Sequence, residues 1–172
     1  AEPLAGTAAF LSLGENVSPR AFVFTDSLRE GAAHAVRALQ QDGKDVLLIS
    51  GDSAGAVETL ASELNITRWV AEALPEDKAA RIQALRDKGH KVLMVGDGLN
   101  DTAALAAADV SISPASALDA ARVASDIVLL GGDLRPIAEA LTTARSATKR
   151  IRENFRIATV YNLIAVPLAV AG

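Results

Sequence analysis

The sequence predicts an α/β protein built on a mostly parallel, doubly wound sheet. Three observations carry that expectation. Short runs rich in Val, Leu and Ile alternate with longer stretches of helical composition and spacing. Half of the residues are apolar, many of them alanine, and only 3% are aromatic. Glycines fall just beyond two of the helical stretches. Alternation of this kind brings strands into parallel register through right-handed helical crossovers. Such a sheet is covered on both faces, so its strands read as continuous apolar runs.

Ala21–Phe24, Asp45–Ser50, Lys91–Val95 and Asp126–Leu130 read as buried strands, and Asp109–Ile112 as a further short one. Between them, Ser27–Gln41, Ala54–Leu64, Pro75–Lys88 and Asp101–Ala107 read as helices. Gly43 and Gly89 sit where left-handed C-caps are wanted. Pro75-Glu76-Asp77 places proline and two acids in a first helical turn, where missing N–H groups and the helix dipole favour them.

After the Gly131-Gly132 turn the pattern changes. Asp133 can cap a helix running through Ile137, Ala140, Leu141 and Ala144. That helix becomes basic at Arg145, Lys149, Arg150, Arg152 and Arg156, against the single acid Glu153. Ile157–Gly172 then carries no charge over 16 residues. This falls short of the ~20 that span a bilayer. A basic collar before an apolar run fits a membrane helix with the collar on the cytoplasmic side. A buried C-terminal core helix is the alternative.

Composition narrows the function. The net charge of −4 gives no hint of a nucleic-acid partner. With no cysteine, neither a disulfide framework nor a thiolate metal site exists within the chain. The first residues lack a basic segment followed by an apolar one, so no secretory signal is read there. The chain does not start with Met, as expected for a piece of a longer protein.

Two stretches fall at the carboxyl ends of predicted strands, where open α/β sheets bind ligands. In the first, Gly96-Asp97-Gly98-Leu99-Asn100-Asp101 follows Val92–Val95. A strand-end carboxylate beside glycines can hold Mg²⁺, which needs few protein ligands. Asn100 and nearby backbone N–H groups can meet a phosphate oxygen. Taken alone, Gly-Asp-Gly also fits a tight turn with Asp101 as a helix cap. In the second, Ser50-Gly51-Asp52 offers a hydroxyl and N–H groups to a phosphoryl oxygen, or again a helix cap. Lys78, on a first helical turn, could neutralise phosphate charge or simply be solvated. Hydroxyl, lysine, amide and Mg²⁺-binding acid, in this order, make up a phosphoryl-transfer set that works by positioning and charge stabilisation.

The motifs SGD, PEDK and GDGLND, with TDSLREGAAHAVRAL before them, resemble the phosphorylation domain of P-type ATPases, members of the haloacid dehalogenase-like superfamily. The resemblance covers about residues 20 to 172 and implies a Rossmann-like fold. It implies Asp97 as a Mg²⁺ ligand, Asn100 on the phosphoryl group and Asp101 within the acidic cluster. Lys78 would balance the charge of a phosphorylated aspartate. Ser50, Gly51 and Asp52 stand where the family usually has Thr-Gly-Asp, and Thr102-Ala103 replaces the usual Ala-Pro. The implied division is 1–19 as the tail of a nucleotide-binding domain or a linker, 20–132 as a partial phosphorylation domain, and 133–172 as stalk helix and start of a membrane helix.

One departure is fundamental. The family's nucleophile lies in Asp-Lys-Thr-Gly-Thr, and no such run occurs in these residues. A sheet lacking the nucleophile strand, and a chain inactive alone, are therefore expected. Asp26 follows an apolar run, but Leu28 two residues on can neither donate nor accept a proton. A stand-alone phosphatase using Asp26 and a non-catalytic phosphate- or Mg²⁺-binding module are the alternatives.

Asn154, Tyr161-Asn162 and Pro167 form an N-x6-Y-N-x4-P pattern resembling the copper(I)-translocating heavy-metal pumps. The resemblance implies Tyr161 and Asn162 at the ion site; an interfacial anchor is the other reading. Zinc or cadmium specificity would call for a lysine or acid in this helix. Ser113-Pro114-Ala115-Ser116-Ala117, where most copper exporters have Gly-Thr-Gly-Thr-Asp, resembles the bacterial branch serving cbb-type oxidase assembly. The implied setting is a multi-pass pump of the inner membrane with a cytoplasmic phosphorylation domain. Its remaining domains would be partners, and ATP would be bound mainly by one of them.

Overall fold

The computed structural model describes residues 7–12, 20–24, 27–117 and 119–172. They divide into two units, one ending at Leu134 and the other beginning at Arg135. The first unit opens with β1 (Thr7–Leu11) and β2 (Arg20–Phe24) and continues α1 (Ala32–Gln41), β3 (Leu47–Ile49), α2 (Ala54–Glu63) and β4 (Arg68–Val70). It ends α3 (Pro75–Asp87), β5 (Leu93–Val95), a 3₁₀ turn (Leu99–Asp101), α4 (Thr102–Ala107), β6 (Val110–Pro114), α5 (Asp119–Val123) and β7 (Ile127–Leu129).

The expected alternation is present, and β3–β4, β5–β6 and β6–β7 all pair in parallel. The sheet is not continuous. β3–β4 forms one piece and β5–β6–β7 another. Among the described residues, neither β3 nor β5 has a strand on its second side. Burial follows pairing: β6, flanked on both sides, is buried from Ser111 to Pro114, whereas β3 and β5 are half-buried or more exposed throughout. Each piece has its own apolar cluster. Ala32, Ala61, Leu64 and Ile66 gather α1 and α2 against Val46 and Leu48; Leu105, Ala117 and Ala121 gather α4 and α5 against Met94.

Local chemistry explains the element ends. Gly43 and Gly89 take positive φ, +70° and +83°, closing α1 and α3 as expected. Pro75 opens α3, and the Asp77 carboxylate accepts the Leu74 N–H at 3.0 Å, satisfying one donor of the first turn. α3 packs along α4, and Arg86 donates to the Ala107 carbonyl at the far end of α4 (2.8 Å).

Two expectations are corrected. Residues 21–24 belong to β2, which pairs antiparallel with β1 (Thr7 opposite Phe24, Leu11 opposite Arg20), not to the parallel sheet. Ala21 and Phe22 are exposed there. A four-residue apolar run does not distinguish a buried parallel strand from a hairpin arm. The second unit is one helix, α6 (Pro136–Ala171), with Arg135 at its N-cap position, two residues beyond Asp133. Proline suits the first helical position, where its missing N–H costs nothing. β1 and β4 were not read from the sequence; Arg68-Trp69-Val70 is too short and too exposed to give an apolar run.

α6 passes unbroken through Pro167. By length and composition it can cross a membrane. Ile137 near its start is buried, while large apolar side chains further on, including Phe155, Leu163 and Leu168, are exposed.

Candidate functional site

Ser50 and Asp97 both emerge where parallel strands stop. Gly96 N–H still bonds the Ile112 carbonyl of β6 (3.1 Å), so Asp97 is the first residue beyond the ladder. Ser50 likewise keeps its N–H on Val70 (2.9 Å) and its carbonyl on Ala73 N–H (3.0 Å). The backbone is fixed at both points and only the side chains reach into the strand-end space.

After β5 the chain folds back tightly. The 3₁₀ turn returns Asp101 N–H to the Gly98 carbonyl (3.1 Å), and Asp101 Oδ2 accepts the Gly98 N–H (3.4 Å). The closeness of this turn makes Gly96 obligatory: a Cβ there would stand 2.9 Å from Asp101 Cβ and 3.0 Å from its Oδ2. Asp101 is buried and forms a 2.7 Å ion pair with Lys78 Nζ. The two side chains are only 12% and 13% exposed. α3 delivers Lys78 because its first turn begins right after the β4 connection, and the α3–α4 packing brings that turn to the 3₁₀ turn.

Asp97, four residues earlier, is treated differently. It is about half exposed and ion-paired with Arg29 from the loop before α1. Arg29 Nη1 also donates to Ser116 Oγ at 3.0 Å, in the loop after β6. Asn100 is exposed beside them. Ser50 Oγ donates to Asp52 Oδ2 (2.6 Å), and Glu72 N–H bonds the Asp52 carbonyl (2.9 Å), so Ser50 and Asp52 form their own small unit with β4. The structure thus brings Lys78 to Asp101 and Ser50 to Asp52, while Asp97 is held by a residue that reading from motifs passed over. The signal for Arg29 was its place in the D-x-L-R segment. Ser116 stands in the Ser-Pro-Ala-Ser-Ala segment, but nothing there pointed to Arg29, 87 residues away. Asp26 lies outside the described residues. Tyr161 and Asn162 lie exposed on α6, in the second unit.

Asp97 is an accessible carboxylate at a fixed strand end, the kind of ligand a hard divalent cation takes. Among the described residues, no group of three or more His, Cys, Asp or Glu side chains is placed to hold a metal ion together. Two further carboxylates support the scaffold from outside the site. Ser111 donates its hydroxyl and its N–H to Asp126 (2.8 Å each), holding that carboxyl below the ordinary carboxylate range. The Val92 N–H and the Lys91 ammonium do the same for Asp109.

Residues 5–109 match the haloacid dehalogenase-like hydrolase family. The chain is 44% identical over 151 residues to "Nitrogen fixation protein FixI" of Rhizobium leguminosarum bv. viciae, an alignment covering 88% of this chain and 20% of that protein. It is 38% identical over 164 residues to "Copper-transporting ATPase 2" of Homo sapiens, covering 95% of this chain and 11% of that protein. Among solved structures, it resembles a zinc-transporting PIB-type ATPase in the E2.Pi state (TM-score 0.82, 32% identity, 88% of this chain and 25% of that one). It also resembles the catalytic domain of the CPx-ATPase CopB-B (TM-score 0.65, 36% identity, 73% of this chain and 50% of that one). The chain spans about a fifth or less of the length of these two curated relatives.

Proposed function

The chain belongs to the haloacid dehalogenase-like hydrolase family, and from that premise we propose that it is the phosphorylation-domain part of an ATP-driven, copper(I)-translocating P-type ATPase. The observation that carries the reading is the Lys78–Asp101 pair at 2.7 Å, buried beneath the turn that presents Asp97 and Asn100. A surface lysine and a simple helix cap do not need each other; a charge-balanced phosphoryl site does.

In this reading Asp97 holds Mg²⁺. When bound, the ion neutralises charge on the transferring phosphoryl oxygens. Asn100 donates to a phosphoryl oxygen, and Ser50 Oγ offers a second donor from the β3 end. Lys78 holds Asp101 in place through their ion pair and adds positive charge under the acyl phosphate. Ser50 can turn its proton from Asp52 to a phosphoryl oxygen, because a hydroxyl rotates freely about its C–O bond. The accepting aspartate belongs to a strand that fits between β3 and β5, whose free sides both lack a partner among the described residues. The chain by itself is then inactive.

In this reading residues 20–132 are the partial phosphorylation domain, 1–19 the tail of the nucleotide-binding domain or a linker, and 133–172 the stalk and the start of a membrane helix. Copper is supported by the spacing of Asn154, Tyr161-Asn162 and Pro167. Pro167 has no N–H, so the Leu163 carbonyl one residue after Asn162 loses its helical donor and becomes available as a ligand. The basic stretch Arg145–Arg156 supports a phosphorylation domain on the cytoplasmic side of a bacterial inner membrane.

The test uses the complete protein. Incubated with ATP and Mg²⁺, it should form an acid-stable, hydroxylamine-sensitive phosphoenzyme in a copper(I)-dependent way. Asp97→Ala should abolish this. A gene without Asp-Lys-Thr-Gly-Thr and without the Cys-Pro-Cys helix that stands beside the ion site in the resembled copper pumps, or a chain that hydrolyses phosphate esters through Asp26, would overturn the proposal.

A further inference from the structure

Two carboxylates lie four residues apart, and each is paired with one cation, but the two pairs are of opposite kinds. Lys78–Asp101 is closed off, with both side chains near 12% exposure, and its partners have nowhere better to go. Arg29–Asp97 is open, with side chains 39% and 49% exposed. Exposed ion pairs are screened and weak; a buried pair is strongly resisted from breaking because it leaves a naked charge behind. Arg29 is moreover not a loose surface cation. Its guanidinium fork spends one nitrogen on Asp97 and the other on Ser116 Oγ at 3.0 Å. The next residue is pinned as well, since Leu134 N–H bonds the Glu30 carbonyl (2.9 Å).

We infer that Arg29 is an exchangeable resident counter-ion of Asp97, positioned by Ser116, that the divalent cation displaces on binding. The inference rests on the reading of Asp97 as the Mg²⁺ ligand. A guanidinium stays protonated at all working pH values and is weakly hydrated. It can therefore neutralise Asp97 in the empty site without drawing in water. A divalent ion brings twice the charge to the same carboxylate and wins when present at sufficient concentration. Ser116 Oγ accepts from the guanidinium while it sits on Asp97, so losing that hydroxyl loosens Arg29 there and favours the ion.

The experiment is a calorimetric titration of the chain with MgCl₂ at fixed ionic strength, with circular dichroism confirming that each variant is folded. Arg29→Gln should tighten Mg²⁺ binding about two- to fivefold, the range that an exposed ion pair spans. Removing any nearby positive charge would push the same way, so the decision falls to Ser116→Ala, which leaves the charge untouched. It should tighten binding in the same direction by a smaller factor, and add nothing in the Arg29→Gln background. An unchanged affinity in Ser116→Ala, or full additivity of the two changes, would overturn the exchange while leaving Asp97 as ligand. Asp97→Ala separates the two ideas: if it binds Mg²⁺ as well as the parent chain does, the ligand assignment itself falls, and the exchange with it.

Discussion

Replacing Lys78 with methionine is the sharpest perturbation of the site. The side chain becomes one atom shorter and loses its charge, leaving the Asp101 carboxylate with the Gly98 N–H at 3.4 Å. At 2.7 Å and an effective dielectric of about 20, the direct attraction is on the order of 6 kcal/mol. Desolvating the two ions consumes several kcal/mol each, so the pair itself contributes little net stability. The asymmetry appears on removing one partner. An uncompensated buried carboxylate costs about 3–5 kcal/mol, and the residual exposure of 13% at Asp101 puts this case at the lower end. Lys78 also sits on the first turn of α3, where a cation opposes the helix dipole; its loss returns about 0.3–1 kcal/mol. The expected destabilisation is then about 2–3 kcal/mol. Urea unfolding followed by the fluorescence of the single tryptophan, Trp69 of β4, would measure it. The companion variants are Asp101→Asn and the double change. In the double variant neither charge is stranded, so the coupling energy should be at least about 1.5 kcal/mol, within the range for residues in direct contact. A Lys78→Met cost below about 0.5 kcal/mol, the size of a typical surface change, or additive single changes would refute the reasoning, because the two groups would then not depend on each other.

Gly96→Ala should destabilise by about 1–3 kcal/mol, the usual cost of overpacking, since the new Cβ meets Asp101 Cβ at 2.9 Å and Asp101 is held by Lys78; thermal unfolding checks this, and a neutral change would show that the turn yields freely. Ser113 is fully buried, and its hydroxyl has no hydrogen-bond partner among the described residues. Ser113→Ala should therefore stabilise by roughly 1 kcal/mol, read from the urea midpoint. Asp126 and Asp109 have folded-state pKa values below the ordinary one. Each then contributes stability that is present above the unfolded pKa and lost as pH falls through the folded value. Stability should drop below about pH 4, and Asp126→Asn should flatten part of that drop in urea melts taken between pH 6 and pH 3.

How far the fold could be read in advance followed from where the information lies. β3, β5, β7 and the helices α2, α3 and α4 were legible because each is a local pattern: an apolar run, a cap, a proline, a glycine past the last turn. The start of α3 is a good case, since Pro75 and Asp77 act on their own turn and need no distant partner. β2 was misjudged because pairing direction is decided by which strand lies alongside, and β1 supplies an antiparallel neighbour. α6 starts later than Asp133 suggested, with Pro136 at its first position, where a missing N–H costs nothing.

The sequence by itself determined the chemical kinds at the strand ends: a hydroxyl at Ser50, carboxylates at Asp97 and Asp101, an amide at Asn100, a lysine at Lys78. Side-chain chemistry is intrinsic to a residue, and its distance from a glycine or a strand end is counted along the chain. Tertiary structure alone decided the partnerships. Asp97 and Asp101 look alike in the sequence, yet one is buried with Lys78 and the other is open to solvent with Arg29. Burial sets the strength of a charge pair, and burial is a property of the surrounding elements. Reaching Arg29 and Ser116 took contacts across 68 and 87 residues, which no local pattern encodes.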